Sequence, residues 1–182
     1  YTPINGPDGV VHKIVKFASD ITANKLLTLE AESKINALNR SQGVIEFDLQ
    51  GNILKANSNF LELVGYTLKE IEGQHHSIFV DPQEANSPAY RAFWKKLGSG
   101  EYDSGEYQRI SKGGRRIWIQ ASYNPVLDLE GNPLKIVKFC SDITLRKLHA
   151  VETEARLRAM SNSNCVLELD SNHDVIAANE LM

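Results

Sequence analysis

The chain has 182 residues, 42% of them hydrophobic and 24% charged, with a formal net charge of -3. This is the composition of a soluble globular protein and excludes a disordered chain, and 20 basic against 23 acidic residues leave none of the positive excess that nucleic acid or a lipid surface requires. No run of about 18 apolar residues occurs, so direct membrane contact is not expected, and Cys140 and Cys165 form neither a metal-ligand spacing nor a disulfide framework, which makes the cytoplasm the expected compartment.

In chain order, residues 1–22 have room for one strand pair, and residues 23–41 carry Leu26, Leu27, Leu29, Ile35 and Leu38 among polar residues with neither Gly nor Pro, an amphipathic helix of roughly 27 Å. Val44–Asp48 and Ile53–Ala56 read as strands about a Gly51-Asn52 turn. Asn57 or Ser58 caps a helix that carries Phe60, Leu61, Leu63 and Val64 and stops at Gly65, and Leu68, Ile71 and Gly73 mark a further helical turn. Pro88 to Leu97 is the next helix, with Tyr90, Phe93, Trp94 and Leu97 three and four apart and Gly98 at its end.

Glu106–Ile110 and Arg116–Tyr123 form a hairpin about Lys112-Gly113-Gly114-Arg115, and alternation puts Ile117, Ile119, Ala121 and Tyr123 on one face and Trp118 and Gln120 on the other. The basic residues Arg109, Lys112, Arg115 and Arg116 read as a solvated hairpin surface. Pro125–Leu129, a turn at Glu130-Gly131-Asn132 and Leu134–Phe139 supply the closing strand, on which Cys140 reads as a small buried residue. A helix over 145–162 follows. Thr22 and Thr144 stand where a hydroxyl caps a helix start, with Asp20 and Asp142 adding negative charge there. Antiparallel strands separated by a helical block argue for an α+β sheet with short helices on one face.

Displaced by 122 positions, the sequence matches itself. Lys13-Ile14-Val15-Lys16-Phe17 falls on Lys135-Ile136-Val137-Lys138-Phe139 and Ser19-Asp20-Ile21-Thr22 on Ser141-Asp142-Ile143-Thr144, and 23 of 60 comparable positions are identical without a gap. The period exceeds the roughly 20–50 residues of solenoid units, so each period is a domain of its own. The expected organisation is the end of one module over 1–22, a connecting helix over 23–41, a complete module over 42–144, a second connecting helix over 145–162 and the start of a third module over 163–182. With no initiator Met or leader at Tyr1, the chain reads as a piece of a longer protein.

Asn57-Ser58-Asn59-Phe60-Leu61-Glu62-Leu63-Val64-Gly65-Tyr66, Trp118-Ile119 and Asp142-Ile143-Thr144 together resemble the PAS family with its PAC-type C-terminal strands. The resemblance implies a five-stranded antiparallel sheet whose concave face, closed by short helices, can hold a small ligand. No Ser/His/Asp, Cys/His or paired-carboxylate arrangement offers a catalytic residue, and the resemblance implies a sensory module in a bacterial signal-transduction protein of the methyl-accepting chemotaxis or aerotaxis type, acting as a homodimer and passing a ligand- or redox-dependent signal to a downstream signalling domain. Histidine kinases and cyclic-dinucleotide enzymes carry similar modules, and a ligand-free dimerisation spacer is the alternative from another class.

The candidate pocket residues are His75, His76, Trp94 and Tyr107. An imidazole beside a pocket could ligate haem, or His75 and His76 could cap and pack. Trp94 and Tyr107 fall where flavin-binding aerotaxis-type relatives contact the ring, whereas Val80, Asp81 and Gln108 depart from that pattern, and aromatic residues at helical spacing also serve as core. Neither haem nor flavin is favoured over no cofactor, and no metal is assigned. Asp142 and Thr144, with Asp20 and Thr22 as the earlier pair, are the expected transmission residues, because a cap couples the last strand to the outgoing helix.

Overall fold

The computed structural model of the chain describes residues 1–5 and 7–181; Gly6, in the first expected segment, and Met182, which closes the last, lie outside the described residues. The chain divides into two units, Tyr1–Arg40 and Ser41–Met182. In the first, strands β1 (Thr2–Asn5) and β2 (Val11–Val15) pair antiparallel, and helix α1 (Thr22–Ser41) follows with none of its described residues buried.

The second unit opens with β3 (Gly43–Phe47) and β4 (Ile53–Ala56). A block of short helices follows: α2 (Ser58–Val64), α3 (Leu68–Ile71), a 3₁₀ turn over His76–Phe79, α4 (Pro82–Ala85) and α5 (Pro88–Gly98). Then come β5 (Asp103–Ile110), β6 (Arg116–Leu127), β7 (Pro133–Asp142), helix α6 (Thr144–Ser163), and the hairpin β8 (Leu167–Leu169) and β9 (Val175–Ala178). Strands β3 to β7 make one antiparallel sheet in the order β4-β3-β7-β6-β5.

Local chemistry sets these boundaries. The Asn57 side chain accepts from Phe60 N at 2.9 Å and so starts α2, while the same oxygen accepts from Val44 N at 2.9 Å and ties that start to β3. Gly65 ends α2 in the left-handed conformation at φ 73°. Asp81 caps α4 through Gln83 N at 3.0 Å with Pro82 as the first helical residue, and Ser87 caps α5 through Tyr90 N at 3.1 Å.

One sheet face carries the core. Ile117, Ile119, Ala121 and Tyr123 of β6, Ile136 of β7 and Ile45 and Phe47 of β3 are buried against Phe60, Val64, Ile71, Phe79 and Leu97 from the helical block. Each fully buried large apolar side chain stabilises the fold by about 1.5–3 kcal/mol. Strands β6 and β5 extend beyond their expected bounds. Strand β6 continues through Asn124-Pro125 to Leu127, because Asn124 and Pro125 pair directly with Val137 and Ile136. Strand β5 begins at Asp103, three residues before the apolar alternation, because Asp103, Ser104 and Gly105 pair with Tyr123, Ser122 and Ala121.

The outer hairpins reproduce the registers of the central sheet 122 positions away. Thr2↔Val15, Pro3↔Ile14, Ile4↔Lys13 and Asn5↔Val11 correspond to Asn124↔Val137, Pro125↔Ile136, Val126↔Lys135 and Leu127↔Pro133, with the irregularity at the same step. Likewise Leu167↔Ala178, Glu168↔Ala177 and Leu169↔Val175 correspond to Ile45↔Ala56, Glu46↔Lys55 and Phe47↔Ile53.

Candidate functional site

The interior between the sheet and the short helices is aromatic and polar together. His76 is fully buried at the 3₁₀ turn, with Nδ1 2.8 Å from the Tyr90 hydroxyl and Nε2 3.0 Å from the Tyr123 hydroxyl. A neutral imidazole offers one donor and one acceptor, so one phenol donates to the ring and the other accepts from it. Burial first, and then the charges of Lys138, Arg109 and His75, hold the His76 pKa well below the usual histidine value. Burial also pushes the Tyr90 hydroxyl up to about 12. The His76 ring stacks on Tyr90 and meets Phe47, Phe79, Trp94 and Tyr123 edge-on, which locks it in place.

The other candidate residues are spread around this cluster. His75 is half-buried and caps the 3₁₀ turn, its Nδ1 accepting from Ser77 N at 3.2 Å. Its ring lies 5.7 Å from that of Trp94. Both cover the β3–β4 turn, where a Cβ on Gly51 would come within 2.7 Å of His75 Nε2 and 2.9 Å of the Trp94 ring. Gly51 also has φ +90°, so Gly51→Ala should destabilise the fold by about 2–3 kcal/mol, read as a lower urea midpoint with unchanged slope. Tyr107 donates to Asp103 Oδ2 at 2.5 Å and lines a cavity of about 150 Å³ together with Glu84 of α4, Ser87, Ala89, Tyr90 and Phe93 at α5, and Arg109 of β5. His75, His76 and Trp94 do not line this cavity.

Two interior residues escape the sequence reading. Arg109 is not part of a solvated hairpin surface: it is 4% exposed, because it follows Tyr107 by two on the inward face of β5, whereas Lys112, Arg115 and Arg116 are exposed. Lys138 is 1% exposed between Ile136 and Cys140, with its ammonium 4.9 Å from the Tyr123 ring centroid and 5.6 Å from that of Phe60. The signal for both is the period-2 alternation, which places a cation inward in each strand.

At the far end of the sheet, strand β7 passes into α6. Asp142 Oδ1 accepts from Thr144 N at 2.7 Å, Ile143 N donates to the Trp118 carbonyl at 2.8 Å, and Trp118 N donates to Thr144 Oγ1 at 2.9 Å. The Thr144 hydroxyl therefore does not cap its own helix: Thr144 is the first helical residue, and its oxygen is taken up by the backbone of β6. In the first unit, Asp20 Oδ1 accepts from Thr22 N at 2.8 Å, and the Thr22 hydroxyl and N–H hold the Asp20 pKa below the usual carboxylate value. The first turn of α6 is also pinned to β5: Arg146 and Lys147 pair with Glu106 at 2.7 and 2.5 Å, and the Lys147 ammonium lies 5.0 Å from the Trp118 ring centroid. These cations, Lys147 foremost, hold the Glu106 pKa down.

The PAS fold family model matches residues 53–140. The crystal structure of a PAS domain from Colwellia psychrerythraea superposes with a TM-score of 0.55 at 21% identity, covering 63% of this chain and 98% of that one. Residues 53–140 have the PAS fold. Among proteins similar in sequence, the biofilm dispersion protein BdlA of Pseudomonas aeruginosa is 40% identical over 168 residues, 86% of this chain and 40% of that protein. The aerotaxis receptor of Escherichia coli is 35% identical over 80 residues, 44% of this chain and 16% of that protein. The chain thus spans less than half the length of either relative. No helix among the described residues is long and apolar enough to cross a membrane.

Haem ligated by His76 and flavin in the aromatic interior do not fit the described residues. Both His76 nitrogens are engaged by tyrosines, leaving no free axial ligand there, and the cavity of about 150 Å³ is below the roughly 300–1,000 Å³ of sites for drug-sized ligands. No group of three or more His, Cys, Asp or Glu among the described residues is placed to hold a metal.

Proposed function

We propose that the chain is a sensory and interaction region of a bacterial signal-transduction protein, with tandem PAS modules that pass a ligand-dependent conformational signal through α6 to a downstream domain. A cytoplasmic segment of a chemotaxis receptor is the favoured parent, in keeping with the aerotaxis receptor among the similar proteins. The observation that carries the reading is the junction at Thr144: Asp142, Ile143 and Thr144 are bonded to one another or to Trp118, so a displacement of β6 is a displacement of the helix start. Tandem modules are supported by the hairpin registers that recur 122 residues apart.

Homodimerisation through the connecting helices is supported by their exposed leucines. Leu26, Leu27, Leu29 and Leu38 of α1 and Leu145, Leu148 and Leu157 of α6 are all at least 42% exposed, at spacings a paired helix covers. An aromatic interior with one small cavity favours a second reading, a ligand-free dimerisation spacer.

The test is Asp142→Ala combined with Thr144→Val in the full-length parent. Each lost hydrogen bond is worth about 1 kcal/mol, so the active-to-inactive ratio should shift by about tenfold or more while the melting temperature moves by only a few degrees. Undiminished signalling in the double variant overturns the junction as the transmission route.

A further inference from the structure

The cavity beside Arg109 holds a charge that is paired only at long range, by one carboxylate oxygen. Of the five N–H donors of that guanidinium, one makes a short bond, from NH1 to the Gln108 carbonyl of its own strand at 2.7 Å. NH1 also reaches Glu84 at 3.3 Å, NH2 reaches the Tyr123 hydroxyl at 3.5 Å, and Nε has no hydrogen-bond partner among the described residues. A buried guanidinium with a free donor is costly unless a carboxylate meets it with two oxygens, and Glu84 offers one, from a side chain that is 48% exposed. Lys138, buried on the same sheet face with no ion pair among the described residues, does not line this cavity, so Arg109 is its one cation.

We propose that this cavity binds a small monocarboxylate with a compact apolar body, whose carboxylate replaces that of Glu84 on Arg109. The proposal rests on the reading of the domain as a sensor and names the chemical class it senses. Size and lining set the rest of the ligand. A cavity of about 150 Å³ matches a body the size of benzene, and the walls given by Ala89, Tyr90, Phe93 and Tyr107 have no charge for a second carboxylate. Strand β5 then connects the event to the exit helix, since Arg109 faces the cavity while Glu106, three residues away, holds Arg146 and Lys147 of α6. Release of Glu84 removes one of the contacts that hold α4, leaving among others the pair between Asp81 and Arg116 at 2.9 Å and the packing of Ala85 on the core.

The experiment titrates the full chain with benzoate and isovalerate, with benzamide as the uncharged counterpart of benzoate, following the aromatic resonances of Tyr90 and Tyr107. At least one acid should bind at the cavity about tenfold or more tighter than benzamide, as loss of a charge-assisted bond implies. Glu84→Gln, which removes the competing carboxylate on an exposed side chain, should tighten acid binding about fivefold, and Arg109→Gln should abolish it. If Arg109→Gln does not fold, Glu84→Gln alone decides. Benzamide binding as tightly as the acids, or unchanged acid affinity in Glu84→Gln, overturns the carboxylate and leaves the sensor reading standing. If none of the three compounds perturbs Tyr90 and Tyr107, the cavity is no ligand site, and the carboxylate and the sensing role of this pocket both fall.

Discussion

His76→Ala is expected to lower the unfolding free energy by about 3–5 kcal/mol, a large part of the roughly 5–15 kcal/mol that holds a domain of this size folded. Two effects add. Removing the ring leaves a hole among Phe47, Phe79, Tyr90, Trp94 and Tyr123, all of which pack on it. It also strips the partner from His76-facing oxygens on Tyr90 and Tyr123, and an unpaired buried hydroxyl costs about 1–3 kcal/mol. A triple variant, His76→Leu with Tyr90→Phe and Tyr123→Phe, separates the effects, because it takes away the imidazole and both hydroxyls together and leaves unmet only the long contact from Arg109 to Tyr123. It should recover most of the stability lost in His76→Ala. Urea unfolding midpoints at constant slope measure both. A loss under about 1 kcal/mol in His76→Ala would show that the tyrosines find other partners and that the network is not structural.

Lowering the pH below the ordinary histidine value of 6.5 is expected to destabilise the domain by up to about 1.4 kcal/mol per pH unit. The folded state keeps His76 neutral, since burial, Lys138, Arg109 and His75 all hold its pKa well below 6.5. Between that depressed folded value and 6.5, the unfolded chain binds a proton that the folded chain does not, and stability therefore rises with pH through this window and falls as acid is added. The carboxylates with lowered values, Asp48, Asp103 and Glu106 among them, contribute in the opposite part of the acid range: their stabilisation is present above the ordinary carboxylate value of about 4 and is lost below it. Stability measured from pH 7 to 5 isolates the histidine, and His76→Gln should flatten that segment of the curve. An equal slope in His76→Gln would assign the effect to other groups.

Most of the fold is legible because its signals are local. Period-2 runs such as Ile117, Ile119, Ala121 and Tyr123 declare their buried face, and Asn57 and Gly65 bracket α2 with side-chain and backbone chemistry that needs no tertiary context. Helix α4 is not legible by periodicity, since Pro82–Ala85 is a single turn; only the Asp81-Pro82 start marks it. Arg109 is misread because charge on a hairpin is ordinarily solvated, and the inward register that buries it depends on pairing with Ile117 across the hairpin. Thr144 shows the same limit. Its residue type fits a cap, but Trp118, 26 residues away, takes the hydroxyl. The candidate site thus divides: the residue types are visible in the sequence, and their partners are set by long-range pairing.

Helix α6 runs from Thr144 to Ser163, directly from the clamped Thr144 to the β8–β9 hairpin. A helix advances about 100° per residue, so its length is also an angular setting. Deleting one residue after Val151 would turn everything beyond it by a little over a quarter of a circle, whereas deleting seven would restore the azimuth to within about 20°. For the tandem arrangement proposed above, the length of α6 would then act like the teeth of a gear, with phase rather than reach setting how a following unit meshes.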